Sequence, residues 1–215
     1  GGVLKPVHTI SGEGIHGLIA AYMQILTGAM DIVVVEAHSK ASNILTLPHL
    51  LAYALEPVFN RPLGINPLFI AGMEMNRFLL ETGTTEEQCA LVVAKNRSNA
   101  LLNPSAAYGA TLGVEDVLAS QVVSWPLKRL EAASHADGAI VMVLASHDVA
   151  PELTDLPVWI RGVGWCNDSF SLETRDWASA HYAARAAQMA YQMAGLRNPQ
   201  GEIDFAELDD TFTYK

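Results

Sequence analysis

The sequence predicts an α/β protein built in layers, because patterns typical of strands alternate along the chain with patterns typical of helices. Two continuous apolar runs rich in β-branched residues, Ile32–Val35 and Ala139–Leu144, are typical of strands. Around them, apolar residues recur every three or four positions, as in amphipathic helices. Half of the 215 residues are hydrophobic, so the chain can bury a sizeable core, which excludes intrinsic disorder.

The first elements predict a strand–helix–strand unit. Pro6–Ile10 is a short extended run that turns sharply through residues 11–14. The apolar spacing of Leu18–Leu26 predicts a helix that ends at Gly28. The strand Ile32–Val35 follows, and its unbroken apolar character indicates cover on both faces. Such units build parallel sheets with right-handed crossovers, so we expect a parallel sheet.

The region of about residues 43–113 is less regular and contains five prolines. Two helices are predicted in it, Leu68–Thr82 and Thr85–Asn96, and Asn103–Ser105 is predicted as a turn. One interpretation is an excursion from the sheet that carries a ligand site. The other is a subdomain that only packs, and the sequence leaves both open.

The strand signal returns after residue 113. Val122–Pro126 and Trp159–Val163 are predicted as short strands on either side of the 139–144 run. Asp176–Leu196 is predicted as a long helix, and Phe205–Leu208 as the strand that closes a second strand–helix–strand unit.

Composition and charge exclude several classes of function. With 13 Lys and Arg against 23 Asp and Glu, the net charge is −10 and no basic run compensates, so nucleic acid is not expected as a partner. The two cysteines, Cys89 and Cys166, are too few for a disulfide framework and fit the reducing cytosol. None of the seven histidines has metal-binding spacing, so no metal site is expected. No apolar stretch is long enough to span a bilayer and no export signal is visible, so we expect a cytoplasmic protein without a membrane partner.

Ser11 stands where the first predicted strand turns into a helix, between Gly12 and Gly14. The unpaired amides and the positive end of the helix dipole favour an anion or a developing negative charge at such a position. His16, on the first turn of that helix, can face the same place. The alternative is a plain N-cap serine, which the residues alone favour because a serine nucleophile also needs a paired base.

Asp209 and Asp210 directly follow the predicted strand Phe205–Leu208. Sites gather beyond the carboxyl ends of parallel strands, and two adjacent carboxylates there can have pKa values pushed apart, which leaves one as a general base. Tyr214, on the same segment, is a candidate donor of a phenolic proton. The alternative is a solvated acidic turn, and Glu36–His38, after another predicted strand end, is open to the same two interpretations.

Six segments together resemble the thiolase superfamily, particularly its sterol-carrier-protein thiolase branch. Their order and spacing cover nearly the whole chain, and six in register are hard to produce by chance. The segments are His8–Gly14, Asp31–Ser42, Ala94–Asn99, Asn103–Tyr108, Ala136–Ala139 and Glu207–Thr213. The resemblance implies a layered α-β-α-β-α fold of two similar halves, of which this chain covers only part. Residues 1–145 would be the N-terminal half with a loop domain at about 43–113, and residues 146–215 the start of the C-terminal half.

The departures from the family pattern direct the functional expectation. A degradative thiolase carries its nucleophilic cysteine where Ser11 stands, and the histidine of the family's H-D-x-F motif is Asp209 here. A serine hydroxyl is a far weaker nucleophile than a thiolate, and an ionised aspartate would repel an enolate oxyanion. The chain is therefore more similar to the cysteine-less thiolase-like aldolases of steroid side-chain degradation. That resemblance implies retro-aldol cleavage of a β-hydroxyacyl-CoA.

The same resemblance suggests a role for each candidate residue. Asp209, Asp210 and Tyr214 would carry the proton transfers, and the turn at Ser11 would present a helix-end dipole near the thioester. Two further expectations are left open: a divergent acetyl-CoA acyltransferase (a thiolase), and a catalytically inactive thiolase-like scaffold subunit.

Coenzyme A is expected as part of the substrate, with no separately bound cofactor. Lys95 and Arg97 are the cations we expect to contact its phosphates. The expected partners are a second copy of the chain, as a homodimer, and a protein bearing a zinc ribbon and an OB-fold.

Overall fold

The computed structural model describes residues 3–215, apart from the side chain of Pro48. It contains helices and short strands joined by long irregular segments, with four α-helices in succession between the first strand and the second. The helices are α1 Gly14–Leu26, α2 Leu47–Ala52, α3 Pro67–Thr82, α4 Glu86–Ala100, α5 Val114–Leu118, α6 Ala150–Leu153, α7 His181–Ala194 and α8 Pro199–Glu202. The strands are β1 Ile32–Ser39, β2 Val122–Ser124, β3 Leu127–Lys128 and β4 Gly138–Ala145. Among the described residues, no helix is long and apolar enough to cross a membrane.

Strands β1 and β4 form an antiparallel pair, with Ile32 opposite Ala145 and Ser39 opposite Gly138. The expected parallel sheet is therefore wrong for these strands. A β-branched run indicates a strand but does not specify its partner, and here the partner lies on the far side of the excursion that begins after β1. Strands β2 and β3 form a second, very short antiparallel ribbon.

Three predicted strands are not strands in the described structure: Pro6–Ile10, Trp159–Val163 and Phe205–Leu208. Each is irregular, without a hydrogen-bonded ladder in the part of the chain that the structure describes. An apolar run becomes a strand only where a neighbouring strand satisfies its backbone groups, and the local sequence does not supply that neighbour.

Helix α1 covers one face of the β1–β4 pair. Ala21 on the helix is buried together with Val35 and Leu144 on the two strands. The approach is close enough that a Cβ added to Gly14 would lie 2.9 Å from the Cβ of Ala37. The opposite face of the pair is exposed in the described chain, with Val34 61% exposed, so the described residues cover only one of the two faces.

A second layer packs beyond α1. Ile160 contacts the buried cluster of α1, β1 and β4, and the hydroxyl of Tyr22 on α1 donates to Sδ of Met193 on α7 at 3.5 Å. Gly162 and Gly164 let the 159–166 segment lie directly against α7. The β1–β4 pair, α1, this segment and α7 therefore pack against one another, in agreement with the layered α/β fold that the sequence predicts.

A separate core joins α3, α4 and β3. Its buried residues are Ala71, Met75, Cys89 and Leu127, and aromatic side chains near the end of the chain pack against them. This core determines where the predicted acidic residues lie.

Candidate active site

The C-terminal segment, residues 209–215, is fixed by a short piece of antiparallel pairing. The amide of Ala133 donates to the carbonyl of Thr211 at 2.9 Å, and the amide of Thr213 donates to the carbonyl of Glu131 at 3.3 Å. On either side of Thr213, the rings of Phe212 and Tyr214 stack with centroids 6.0 Å apart and pack into the α3 core. The segment is thus held by backbone pairing on one side and aromatic packing on the other.

Asp209 lies at the start of this segment, in a turn that stabilises its charged form. The amide of Thr211 donates to Oδ1 at 3.0 Å, and its hydroxyl donates to the same oxygen at 2.5 Å. These hydrogen bonds lower the pKa of Asp209 below its ordinary value, and the bond from the Thr211 hydroxyl has the largest effect. Partial burial acts in the opposite direction but does not cancel them. Both bonds use Oδ1, so an ionised carboxylate retains Oδ2 for another partner.

Asp210 has a different environment, although it is the next residue. Its Oδ2 accepts a hydrogen bond of 2.8 Å from Nδ2 of Asn96, on α4. The pair is therefore split, with one carboxylate bonded within its own turn and the other bonded to a helix. Sequence reasoning did not single out Asn96, although it lies inside one of the six segments noted above.

Tyr214 is turned away from the two aspartates, toward α3. Its hydroxyl donates to Oε2 of Glu74, which is 8% exposed. Burial, and next the hydrogen bond to this carboxylate, raise the pKa of Tyr214. The other oxygen of Glu74 is paired with Arg175, whose Nε also contacts Asp168 at 2.8 Å. In the described chain no hydrogen bond joins the Tyr214 hydroxyl to Asp209 or Asp210.

The turn at Ser11 is exposed and leads into α1. The N-cap residue is Glu13, and no side chain caps the helix, so the alternative of an N-cap serine is wrong. Gly12 has φ of +141°, a value that favours glycine, and a Cβ there would lie 3.2 Å from Nδ1 of His16. The start of α1 thus offers amides that no side chain pairs. Within residues 3–215, none of the hydrogen bonds of the C-terminal segment involves Ser11.

The two predicted phosphate-binding cations differ in their surroundings. Lys95 is exposed on α4, next to Asn96. Arg97 is half-buried, and its Nη1 donates to the carbonyl of Tyr108 at 2.8 Å while its guanidinium lies 5.6 Å from the Tyr108 ring. Arg97 therefore also fixes the loop that follows α4.

The remaining sequence expectations concern the Glu36–His38 segment and metal binding. Glu36–His38 lies within β1 rather than after it, so it does not stand at a strand end. In the part of the chain that the structure describes, no three His, Cys, Asp or Glu side chains come together as a metal site would require.

The chain is similar to several known proteins, to some of them over nearly its whole length. It is 30% identical to an acetyl-CoA acetyltransferase of Methanothermobacter thermautotrophicus over 208 residues, which are 96% of this chain and 54% of the relative. It is also 30% identical over 105 residues to a 17-hydroxy-3-oxo-4-pregnene-20-carboxyl-CoA lyase of Mycobacterium tuberculosis, covering 48% of this chain and 27% of the lyase. No protein-family model matches the sequence.

Two solved structures share the fold. The Ltp2–ChsH2(DUF35) aldolase matches with a TM-score of 0.75 at 23% identity, over 94% of this chain and 53% of that one. A monomeric SCP2-thiolase-like protein type 1 from Mycobacterium smegmatis matches with a TM-score of 0.64 at 20% identity, over 87% and 42%. The chain thus spans about half the length, or less, of the proteins that it matches. Its fold is thiolase-like, as the sequence predicts, and the chain is similar in sequence to an acetyl-CoA acetyltransferase and in fold to an SCP2-thiolase-like protein.

Proposed function

We propose that this chain is the part of an acyl-CoA enzyme that cleaves a β-hydroxyacyl-CoA by retro-aldol chemistry, without a cysteine nucleophile. The observation that carries the proposal is Asp209, a carboxylate that Thr211 keeps ionised and that retains one oxygen for a substrate proton. The likeness of the fold to an aldolase, and of the sequence to a relative named as a CoA lyase, supports the same chemistry.

In the proposed reaction Asp209 is the base. It takes the proton of the β-hydroxyl group, the bond between the α- and β-carbons breaks, and its electron pair passes into the thioester enolate. The β-carbon leaves as an aldehyde or ketone. A proton is then delivered to the α-carbon, by Asp209 or through its neighbour Asp210, which gives the shortened acyl-CoA. A substrate that covers the carboxylate would displace water from it and raise its pKa, which makes the ionised form a better base.

The enolate oxygen needs a positive partner while the bond breaks. The uncapped start of α1 after Ser11 supplies free amides and the positive end of the helix dipole, which suit a developing oxyanion. Serine at this position makes no acyl-enzyme in the proposed mechanism. We assign the CoA phosphates to Lys95 and Arg97, since Arg97 retains guanidinium hydrogens beyond the one bonded to Tyr108.

The rest of the enzyme belongs to the proposal as well. Residues 1–145 form the larger part of one half with its loop domain, and residues 146–215 begin the second half. The proposal includes a homodimer and, as a second partner, a protein that bears a zinc ribbon and an OB-fold. The solved aldolase with the same fold is itself an assembly of two proteins, which supports this expectation.

The test offers β-hydroxyacyl-CoA and β-ketoacyl-CoA separately to the native protein, purified with whatever accompanies it. The proposal predicts that an aldehyde or ketone is released from the first, and that Asp209→Asn abolishes the release. Asp204→Asn is the matched control, because Asp204 is exposed on the same irregular stretch, and it should leave turnover unchanged. Release that persists in Asp209→Asn would overturn the role of Asp209.

The second candidate is an acetyl-CoA acyltransferase, which the 30% identity to a relative of that name favours. It predicts cleavage of β-ketoacyl-CoA that depends on free coenzyme A and increases in Ser11→Cys. The retro-aldol proposal predicts no gain of lyase turnover in that variant. A third outcome, acyl-CoA binding without turnover of either substrate, would identify an inactive scaffold subunit.

A further inference from the structure

We propose that Glu74 and Tyr214 form a positioning pair, which fixes the C-terminal segment and thereby places Asp209 and Asp210 in the candidate site. The inference deepens the proposed function and rests on it. It gives Tyr214 a role that differs from proton donation to the substrate, and it adds Glu74, which the sequence does not single out.

Glu74 is a buried carboxylate whose partners come from distant parts of the chain. It lies on the buried face of α3 that also carries Ala71 and Met75, and its side chain belongs to a residue that is only 8% exposed. A charge buried this deeply is costly unless it is paired and hydrogen-bonded. Arg175 supplies the opposite charge, and the hydroxyl of Tyr214 supplies the hydrogen bond. Each partner thus offsets part of the cost of burying this polar side chain.

The phenol is committed to this carboxylate. Its ring stacks on Phe212 and lies 6.2 Å from the ring of Phe78 on α3, so neighbours on two sides restrict its rotation. If the hydroxyl turned toward a substrate, one oxygen of Glu74 would lose its hydrogen bond in a buried environment. This cost favours a fixed anchor over a mobile proton donor.

The anchor acts on the aspartates through a short stretch of backbone. Tyr214 is only four residues from Asp210, and between them lies the pairing of Thr211 and Thr213 with residues 131–133. The Tyr214–Glu74 hydrogen bond therefore holds the segment together with the backbone pairing and the aromatic packing. Its loss leaves those two contacts but allows the segment to shift, and the Asp210 to Asn96 hydrogen bond shifts with it.

A double-mutant cycle tests the pair, with Tyr214→Phe, Glu74→Gln and both changes together in the native protein. The controls are Tyr191→Phe, whose hydroxyl makes no hydrogen bond within the described chain, and Glu81→Gln, an exposed ion-paired glutamate on the same helix. Two readouts are followed: kcat and KM on β-hydroxyacyl-CoA, and amide hydrogen exchange of residues 209–213.

The expected result is that each single variant lowers kcat by about 10- to 100-fold with little change in KM, because a small displacement of a reacting group costs that much. The double variant should be no worse than either single one, since the pair acts as a unit. Amide exchange of residues 209–213 should be faster in all three variants and unchanged in both controls.

Two results would overturn the inference. One is a loss of kcat in Tyr214→Phe with unchanged amide exchange, which would make Tyr214 a proton donor. The other is additive losses in the double variant, which would mean that the two residues act separately. If the wild type shows no lyase turnover, the exchange measurements still decide the inference, while the proposed function fails by itself. If Glu74→Gln does not fold, Tyr214→Phe alone gives the decisive exchange measurement.

Discussion

Replacement of Gly164 by alanine should lower stability, because the 159–166 segment lies with its backbone against α7. A Cβ added at Gly164 would come within 3.0 Å of the backbone nitrogen of Ala190 and closer still to the carbonyl oxygen of Ala186. Both atoms belong to the helix backbone, which cannot rotate away as a side chain can. The clash is relieved only if the segment and α7 separate, which loses the contacts between them.

The expected cost follows from two opposing effects. Overpacking of this kind costs about 1 to 3 kcal/mol. Alanine also restricts the unfolded chain, which returns about 0.4 to 1 kcal/mol where the native backbone tolerates it. A net loss of about 1 kcal/mol is expected from the middle of these two ranges. For a chain of this size, that lowers the midpoint of thermal unfolding by about 2 to 4 °C.

The assay is thermal and urea unfolding of the native protein, followed by circular dichroism. Gly138→Ala is the matched control, because a Cβ there would meet nothing within 4 Å. Its stability should change by less than about 0.5 kcal/mol. If Gly164→Ala unfolds at the same temperature as Gly138→Ala, the close packing of this segment on α7 is refuted.

Three further predictions rest on single sites. Burial raises the pKa of Glu131, so its proton stabilises the folded state at low pH, and that stability is lost as the pH rises above the ordinary value of 4.5. Relative to wild type, Glu131→Gln should therefore become more stable as the pH is raised from 4.5, and an unchanged difference in unfolding free energy across pH would contradict this. Burial raises the pKa of Cys89 to about 11, whereas Cys166 is exposed. Iodoacetamide at pH 8 should therefore label Cys166 alone, which mass spectrometry of proteolytic digests would show; labelling of Cys89 to the same extent would contradict its burial. Thr85→Ala removes the capping box of α4 and should lower the free energy of unfolding by about 1 kcal/mol, measured by urea unfolding. Thr85→Ser keeps the capping hydroxyl and is the control, which should unfold like the wild type.

The helices were largely predictable because their signals are local. Helix α3 was expected at 68–82 and begins one residue earlier, at Pro67. The side chain of Asn66 accepts from the amide of Phe69 at 3.0 Å, and Gly83 ends the helix with φ of +70°. These signals lie within a few residues of each helix end, so a single sequence contains them.

The sheet was predictable only in part. The apolar runs at β1 and β4 predict strands, and strands form there, but the sequence does not predict their antiparallel pairing. Pairing depends on contacts between residues more than 90 positions apart, such as Ser39 and Gly138, and no local pattern encodes it. The remaining apolar runs failed to form strands for the same reason.

The candidate site likewise combines residues that the local sequence indicates with contacts that only the folded chain creates. The predicted strand before Asp209 and Asp210 points to these two residues, but their position is fixed by the aromatic packing and backbone pairing of the residues that follow them. Glu74 gave no signal, because a glutamate on a helix is ordinarily exposed. Its hydrogen-bond partner Tyr214 lies 140 residues further along the chain.

The most direct test of the central claim is the fate of β-hydroxyacyl-CoA incubated with the native protein in the absence of free coenzyme A. The account predicts that an aldehyde or ketone and a shortened acyl-CoA form in equal amounts, with one solvent hydrogen on the α-carbon of the acyl product. No acyl group should be attached to Ser11. An intact β-hydroxyacyl-CoA, together with β-ketoacyl-CoA cleavage that requires free coenzyme A, would contradict the account.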